Sequence, residues 1–327
     1  MVEQTLSKTG AAIKVGCAGI LVADTFCGPL DALPREGELI AVDALPVSVG
    51  GCAANVSIGL ARQGIAAEVV GCLGCDSAAQ VVVASLERSG VNCERLSYAD
   101  ALPTSQTIVL LVKGQDRRFL HLFGANSAFT VTHIDRDWLR SLKVFYLGGL
   151  YVLSGIDLGA LADVLRECRA HGVTTVVDVV TPGPGVDYSS LQQILPHTDY
   201  FLPNDDEAAL ITGQREAREQ IRVLREWGAH TLVITQGAGG LMAAHGDDLW
   251  HADSFPVQAV DPSGGGDAFA AGLITGIARG WQLPDVLRYG SALGASATLA
   301  VGTTTSVFSA EEAERFLAAH PLAVRRE

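Results

Sequence analysis

From residue 13 onward, short apolar runs alternate with stretches of helical period, and this rhythm leaves the chain few architectures. Runs over 13–22, 68–73, 144–147, 174–180, 200–202 and 232–235 predict strands. Amphipathic patterns over 53–63, 78–89, 158–171, 206–211 and 215–227 predict helices between them. Continuous apolar strands separated by helices build a largely parallel sheet covered on both faces. The C-terminal third predicts helices over 266–279, 284–299 and from about 310, the last opened by a capping box of Ser309 and Glu312. The expected class is α/β, a mostly parallel sheet flanked by helices on both faces.

Two segments break the rhythm. Residues 38–47 follow a loop rich in Pro, Gly and Asp, and 105–113 with 117–123 reads as a hairpin around 114–116. Neither has a partner helix, so neither belongs in a parallel sheet. They predict a small β-layer beside a single domain spanning 1–327, formed from insertions at about 25–49 and 104–125. Such a layer is either a lid that closes over a substrate and excludes water, or a surface hairpin with no gating role.

At 327 residues, with 48% apolar and 18% charged residues, the chain can bury a full core. A net charge of −13 argues against nucleic acid and anionic membrane surfaces as partners. It does not argue against ATP, which needs only a local positive field. No apolar run approaches the roughly 20 residues of a membrane span. Residues 1–14 are polar and lack the apolar core of a signal peptide, so a cytoplasmic location is expected. Seven scattered cysteines are read as small buried residues of a reducing compartment. Cys72-Leu-Gly-Cys75 has no second ligand pair, and it straddles a strand end, so it predicts neither a zinc site nor a redox motif. A dinucleotide fold is disfavoured too, because the first strand runs into Gly16-Cys-Ala-Gly19 with no helix opening there.

The chemistry is concentrated in Asp261-Pro-Ser-Gly-Gly-Gly-Asp267. Three glycines let a backbone approach a ligand closely, and the helix predicted to start there offers unpaired N–H groups and a positive dipole end. That is an anion site suited to phosphate. A carboxylate inside it would repel phosphate, unless Asp267 takes a proton from a hydroxyl that attacks the phosphate. The plain alternative is an acidic residue in the first turn of an ordinary helix.

Two further segments stand in order with this one: Gly50-Gly-Cys-Ala-Ala-Asn55 ahead of a helix, and Pro203-Asn204-Asp-Asp-Glu207 at a strand end. Together the three resemble the signatures of the ribokinase-like (PfkB) carbohydrate kinases over about residues 13–302. Pro262, Ser263 and Gly265 depart from that family's usual Asp-Thr-Thr-Gly-Ala-Gly-Asp, and none of these changes removes a group the chemistry needs.

The resemblance implies a ribokinase-like fold with a β-sheet lid, and ATP-dependent phosphorylation of a hydroxymethyl group on a sugar. A nucleoside kinase of the same fold and a non-catalytic sugar or nucleotide sensor are the alternatives. It implies Asp267 as base and the N–H groups of Gly264, Gly265 and Gly266 as the cradle for the transferring phosphoryl. Asp24, Gly50, Gly51, Asn55 and Asn126 are expected at the acceptor. Asn126 reads equally as a turn residue with positive φ. Phe26 and Phe123 are the aromatic candidates for stacking a base.

Thr235, Gly237 and Gly240 are expected at the nucleotide, with small residues of 292–303 walling the adenine; the same glycines make an ordinary hairpin. Asn204 and Glu207 are expected to hold Mg2+ mainly through water, or to cap a helix, or both. Asp261 is read as a loop anchor which, with Ser263, belongs to a site for a monovalent cation such as K+. Cys52 stands where some relatives carry Lys, which argues against an acceptor already bearing phosphate. Arg117 and Arg118 either reach an anionic acceptor or lie on a solvated strand edge. Exposed lid edges make a homodimer plausible.

Overall fold

The computed structural model describes residues 13–115, 117–183 and 185–327; residues 1–12 of the polar start and Asp116 of the hairpin turn lie outside them. The chain opens with β1 (Lys14–Gly19), β2 (Val22–Leu30) and β3 (Val47–Gly50), then α1 (Cys52–Arg62), β4 (Ala66–Gly74), α2 (Ser77–Arg88) and β5 (Asn92–Ala99). A hairpin of β6 (Gln106–Val112) and β7 (Arg118–Leu122) is followed by α3 (Arg136–Arg140) and β8 (Val144–Leu150). Then come α4 (Leu158–Ala170), β9 (Thr174–Val179), β10 (Tyr200–Phe201), α5 (Asp205–Thr212) and α6 (Ala217–Glu226). Strands β11 (Thr231–Thr235), β12 (Leu241–His245) and β13 (Asp248–Ala252) precede α7 (Gly265–Arg279), α8 (Leu283–Ala297), α9 (Ala310–Ala319) and β14 (Val324–Arg326).

Ten strands form one sheet in the order β14-β13-β12-β11-β10-β9-β8-β1-β4-β5. From β11 to β5 every neighbouring pair is parallel, and β12, β13 and β14 extend the edge antiparallel. Both faces are covered. Val56 and Leu60 of α1 pack with Leu273 and Ile274 of α7 and Leu293 of α8 on one side, and Leu161 and Leu165 of α4 pack with Phe145 on the other. Each such leucine contributes roughly 1.5–3 kcal/mol by leaving water. Among the described residues no helix is long and apolar enough to cross a membrane.

A second sheet of four strands, β3-β2-β6-β7, forms the lid layer. Here two expectations are corrected. The apolar run at 13–22 is not one strand, because Asn126 grips both the N–H and the carbonyl of Leu21 at 3.1 and 3.0 Å. Those bonds replace the ladder that a continuing strand would need, and the chain leaves the main sheet for the lid. Residues 38–47 are not a strand until Val47. Pro46 removes a donor, and Leu39 is 88% exposed with no partner strand beside it.

The arrangement gathers the functional segments at one place. The carboxyl ends of β9, β10 and β11 open toward the start of α7, with the lid rising from the end of β1, as ligand crevices in open α/β sheets do.

Candidate active site

The loop 261–264 turns into α7 at Gly264, whose φ of 76° lies in the left-handed region. A Cβ there would also overlap the carbonyl of Thr303, so glycine is required twice over. Asp267 sits in the first turn of this 15-residue helix, where orphan N–H groups and the dipole favour an anion. The Gly265 N–H leans back on the Pro262 carbonyl at 3.4 Å, a weak turn contact.

Asp267 is held from a distant part of the chain. Asn55, in the first turn of α1, donates its Nδ2 to Asp267 Oδ2 at 2.8 Å. Its Oδ1 accepts from the Thr303 hydroxyl at 2.9 Å. Asn55 is buried, and both ends of its amide are engaged within the protein. Cys52 also hydrogen-bonds Asp267, and one ligand atom from each of Cys52, Asp178 and Asp267 lies within 4.8 Å of the others. Tyr146 donates its hydroxyl to Asp178 Oδ2 at 3.1 Å.

Burial raises the pKa of Asp267, and the Asn55 and Cys52 hydrogen bonds hold it partly down. Asp178 is pushed well up by burial, then by the charges of Glu207 and Asp267. Burial lifts Glu207 to about 7, with Asp267 adding to the rise against the Asn204 N–H bond. Converging carboxylates that repel one another in this way fit a divalent cation.

On the acceptor side, Asp24 lies on β2 of the lid sheet and is 8% exposed. Its carboxylate lies where a Cβ on Gly50 would stand, so Gly50 is what admits it. Burial raises Asp24 to about 6, offset by a hydrogen bond from Thr107 and reinforced by the charge of Asp267. Gly51 caps α1 with φ 92°. Asn126 is buried with its amide taken up by Leu21, and it does not have the positive φ considered for it. Phe26 is buried, whereas Phe123 is 49% exposed and edge-on to His121.

On the other side of Asp267 a cleft of about 600 Å³ is lined by Thr235, Gly237, Gly240, Gly265 and Gly266, among others. Gly294, Ala295 and Thr298 of the small-residue stretch form part of its wall. Thr235 and Gly240 lie at the ends of the hairpin between β11 and β12, so hairpin and cleft are one feature. Asn204 also borders the cleft and is the N-cap of α5. Asn204 Oδ1 accepts from the Glu207 N–H at 2.8 Å, and Glu207 Oε2 accepts from the Asn204 N–H at 2.9 Å. The capping box therefore exists, and it fixes a carboxylate whose charge is felt by Asp178 and which Asp267 repels.

Asp261 is buried beneath the loop, accepting from the Ser263 N–H at 2.9 Å and the Gly302 N–H at 3.1 Å. Arg117 comes down from the lid hairpin to both Asp261 and Ser263, so it is no solvated strand edge. Arg118 is exposed and bonded to Gln115. All seven cysteines are free thiols, Cys72 buried and Cys75 exposed.

Asp178, Tyr146 and Thr303 are site residues that the sequence reading does not single out. Asp178 has a signal, a charge inside the apolar strand Thr-Thr-Val-Val-Asp-Val; Tyr146 and Thr303 have none.

A carboxylate on the first turn of a glycine-led helix, facing a buried aspartate of the lid sheet and adjoining a glycine-lined cleft, defines a small-molecule phosphotransferase. Residues 14–310 match the model of the pfkB family carbohydrate kinases. The chain belongs to this family. Among similar proteins are a ribokinase of Haemophilus influenzae, 24% identical over 86% of this chain and 92% of its own, and Fructokinase-2 of Oryza sativa, 26% identical over 77% and 80%. The structure of Arabidopsis thaliana ribokinase complexed with ribose and ATP superposes with a TM-score of 0.80 at 21% identity, covering 93% of this chain and 98% of that one.

Proposed function

We propose that this protein transfers the γ-phosphoryl group of ATP to a hydroxymethyl group of an uncharged sugar. The observation that carries this reading is the position of Asp267, held by Asn55 within the field of Asp24 and next to the cleft bordered by Gly265 and Gly266. Asp267 accepts the hydroxymethyl proton as the oxygen attacks the γ-phosphorus, and the bond to the bridging oxygen of ADP breaks. Its raised pKa makes it a better base than a solvated aspartate. N–H groups of Gly264, Gly265 and Gly266 at the helix start bind the transferring phosphoryl, and with a loose transition state positioning carries most of the acceleration.

Asp178 and Glu207 are the groups that would hold Mg2+, mainly through water, with Asn204 positioning Glu207, and the ion held there would neutralise charge on the phosphates. Asp24 accepts hydrogen bonds from acceptor hydroxyls, and Gly50 and Gly51 let the ring lie on backbone. An anionic acceptor is disfavoured, because the pocket presents Asp24 and Asp267, Cys52 carries no charge, and Arg117 is bound to Asp261.

One face of the lid sheet exposes Ile108, Leu120 and Leu122, an apolar patch that a second copy of this chain would cover. The reading as one domain spanning 1–327, with its lid from insertions at about 25–49 and 104–125, belongs to this proposal, as does a cytoplasmic location, where ATP is made and seven free thiols persist. Purified protein assayed for acceptor-dependent ADP release with ATP and Mg2+, against free sugars, sugar acids, sugar phosphates and nucleosides, tests the reading. Release with a neutral sugar supports it. Release only with sugar phosphates or acids refutes the acceptor, and silence across the panel refutes the activity.

A further inference from the structure

Asp261 and Ser263 are the pair expected to hold a monovalent cation, and the fold gives them a different occupant. The Arg117 guanidinium, one residue ahead of the lid strand β7, donates Nη1 to Asp261 Oδ1 at 3.3 Å and to the Ser263 hydroxyl. The same Asp261 oxygen accepts from Ser263 Oγ at 2.7 Å and Ser263 N at 2.9 Å, and its other oxygen accepts from Gly302 N. The carboxylate is thus ringed by donors, and a positive charge already touches both side-chain oxygens that a metal cation would need. Arg117 is only 25% exposed, and its guanidinium also lies over the Phe119 ring at 5.7 Å from the centroid.

Asp261 is only 4% exposed, and a buried carboxylate needs a partner of this kind to remain charged. Burial pushes its pKa up, yet the Ser263 and Gly302 bonds and the Arg117 charge hold it below the ordinary value. An arginine suits the role because its charge cannot be lost, and its Nη1 carries two hydrogens, one for each oxygen. The contact spans 144 residues, joining the lid hairpin to the loop that opens α7.

We propose that Arg117 is the built-in cation of the phosphate-binding loop. It occupies the Asp261–Ser263 site in place of K+, makes the loop independent of monovalent cations, and ties its shape to the position of the lid. Arg117 acts through the loop and is a positioning residue. The consequence for turnover rests on the kinase reading above, whereas the occupancy of the site does not.

The test is therefore made first on stability, without substrates. Wild type and Arg117→Gln are melted in tetramethylammonium chloride and in KCl at equal ionic strength. Wild type is expected to melt alike in both, and R117Q to melt lower in tetramethylammonium and to recover selectively in KCl or in millimolar guanidinium. Adding Asp261→Asn to R117Q should abolish the recovery. If R117Q fails to fold, Arg117→Lys keeps the charge and loses the guanidinium, and is expected to show partial recovery.

In the ADP-release assay, kcat of R117Q should fall on the order of 10- to 100-fold without K+, the scale of one lost charge-assisted hydrogen bond, and rise again with it. Wild type stabilised by K+ as much as R117Q would overturn the proposal. So would an R117Q that melts like wild type, or one whose loss no cation restores. An absence of ADP release with any acceptor counts against the kinase reading and leaves the melting result to decide this one.

Discussion

Asn55 on α1 and Asp267 on α7 are joined by a 2.8 Å hydrogen bond across 212 residues of sequence. The bond fixes which way the carboxylate faces and holds down a pKa that burial raises. With Thr303 engaging the other end of the amide, Asn55 cannot rotate to release it.

Asp267→Asn removes the base and little else. We expect kcat to fall by roughly 10²–10⁴, the usual worth of a positioned general base. ATP affinity should hold, since the cleft is lined by other residues. Steady-state ADP release and calorimetric ATP titration check this, and near-normal turnover would remove Asp267 from the mechanism.

Asn55→Ala leaves Asp267 without its amide donor. The carboxylate pKa should rise further, so the acid limb of the kcat/KM–pH profile should move to higher pH. A variant with lower activity but an unmoved limb would mean that Asn55 serves only packing.

Asp24, raised to about 6 by burial, predicts a pH-dependent grip on the acceptor. Only the ionised form accepts from two hydroxyls without offering a proton. The acceptor KM should therefore rise as pH falls through about 6, and Asp24→Asn should flatten that dependence. Initial rates against acceptor concentration at several pH values decide it.

Glu207 and Asp178 repel each other, and the native state binds their protons more tightly than the unfolded chain does. For Glu207, stability should fall as pH rises from its ordinary range toward about 7, and the penalty persists above that. Glu207→Gln should raise the melting temperature at pH 8 without Mg2+, by roughly 2–4 °C for each kcal/mol of repulsion relieved. It should at the same time weaken Mg2+-dependent turnover. A lower melting temperature would show that the capping box outweighs the repulsion.

The alternating runs of apolar and amphipathic residues were enough to determine the parallel sheet, because strand and helix periods are local properties of the chain. The glycines at 264–266 and Asp267 announced the phosphate site for the same reason: a helix start and its first turn are specified by adjacent residues. Local pattern failed where a partner from elsewhere decided the outcome. Residues 13–22 read as one strand until Asn126 takes the backbone of Leu21, and 38–47 had the alternation of a strand with no neighbour to pair with.

The same limit applies to roles. Asn55 is visible in sequence, but only the meeting of α1 with α7 gives it Asp267 as a partner. Asp178 acquires meaning from Tyr146, Cys52 and Glu207, which lie far from it along the chain. Arg117 reads as a lid-edge charge, and packing turns it onto Asp261. Sequence by itself determined the elements and the helix-borne phosphate loop, which depend on neighbours in the chain. Tertiary structure decided which charges face one another, because burial and Coulomb interaction depend on distance in space.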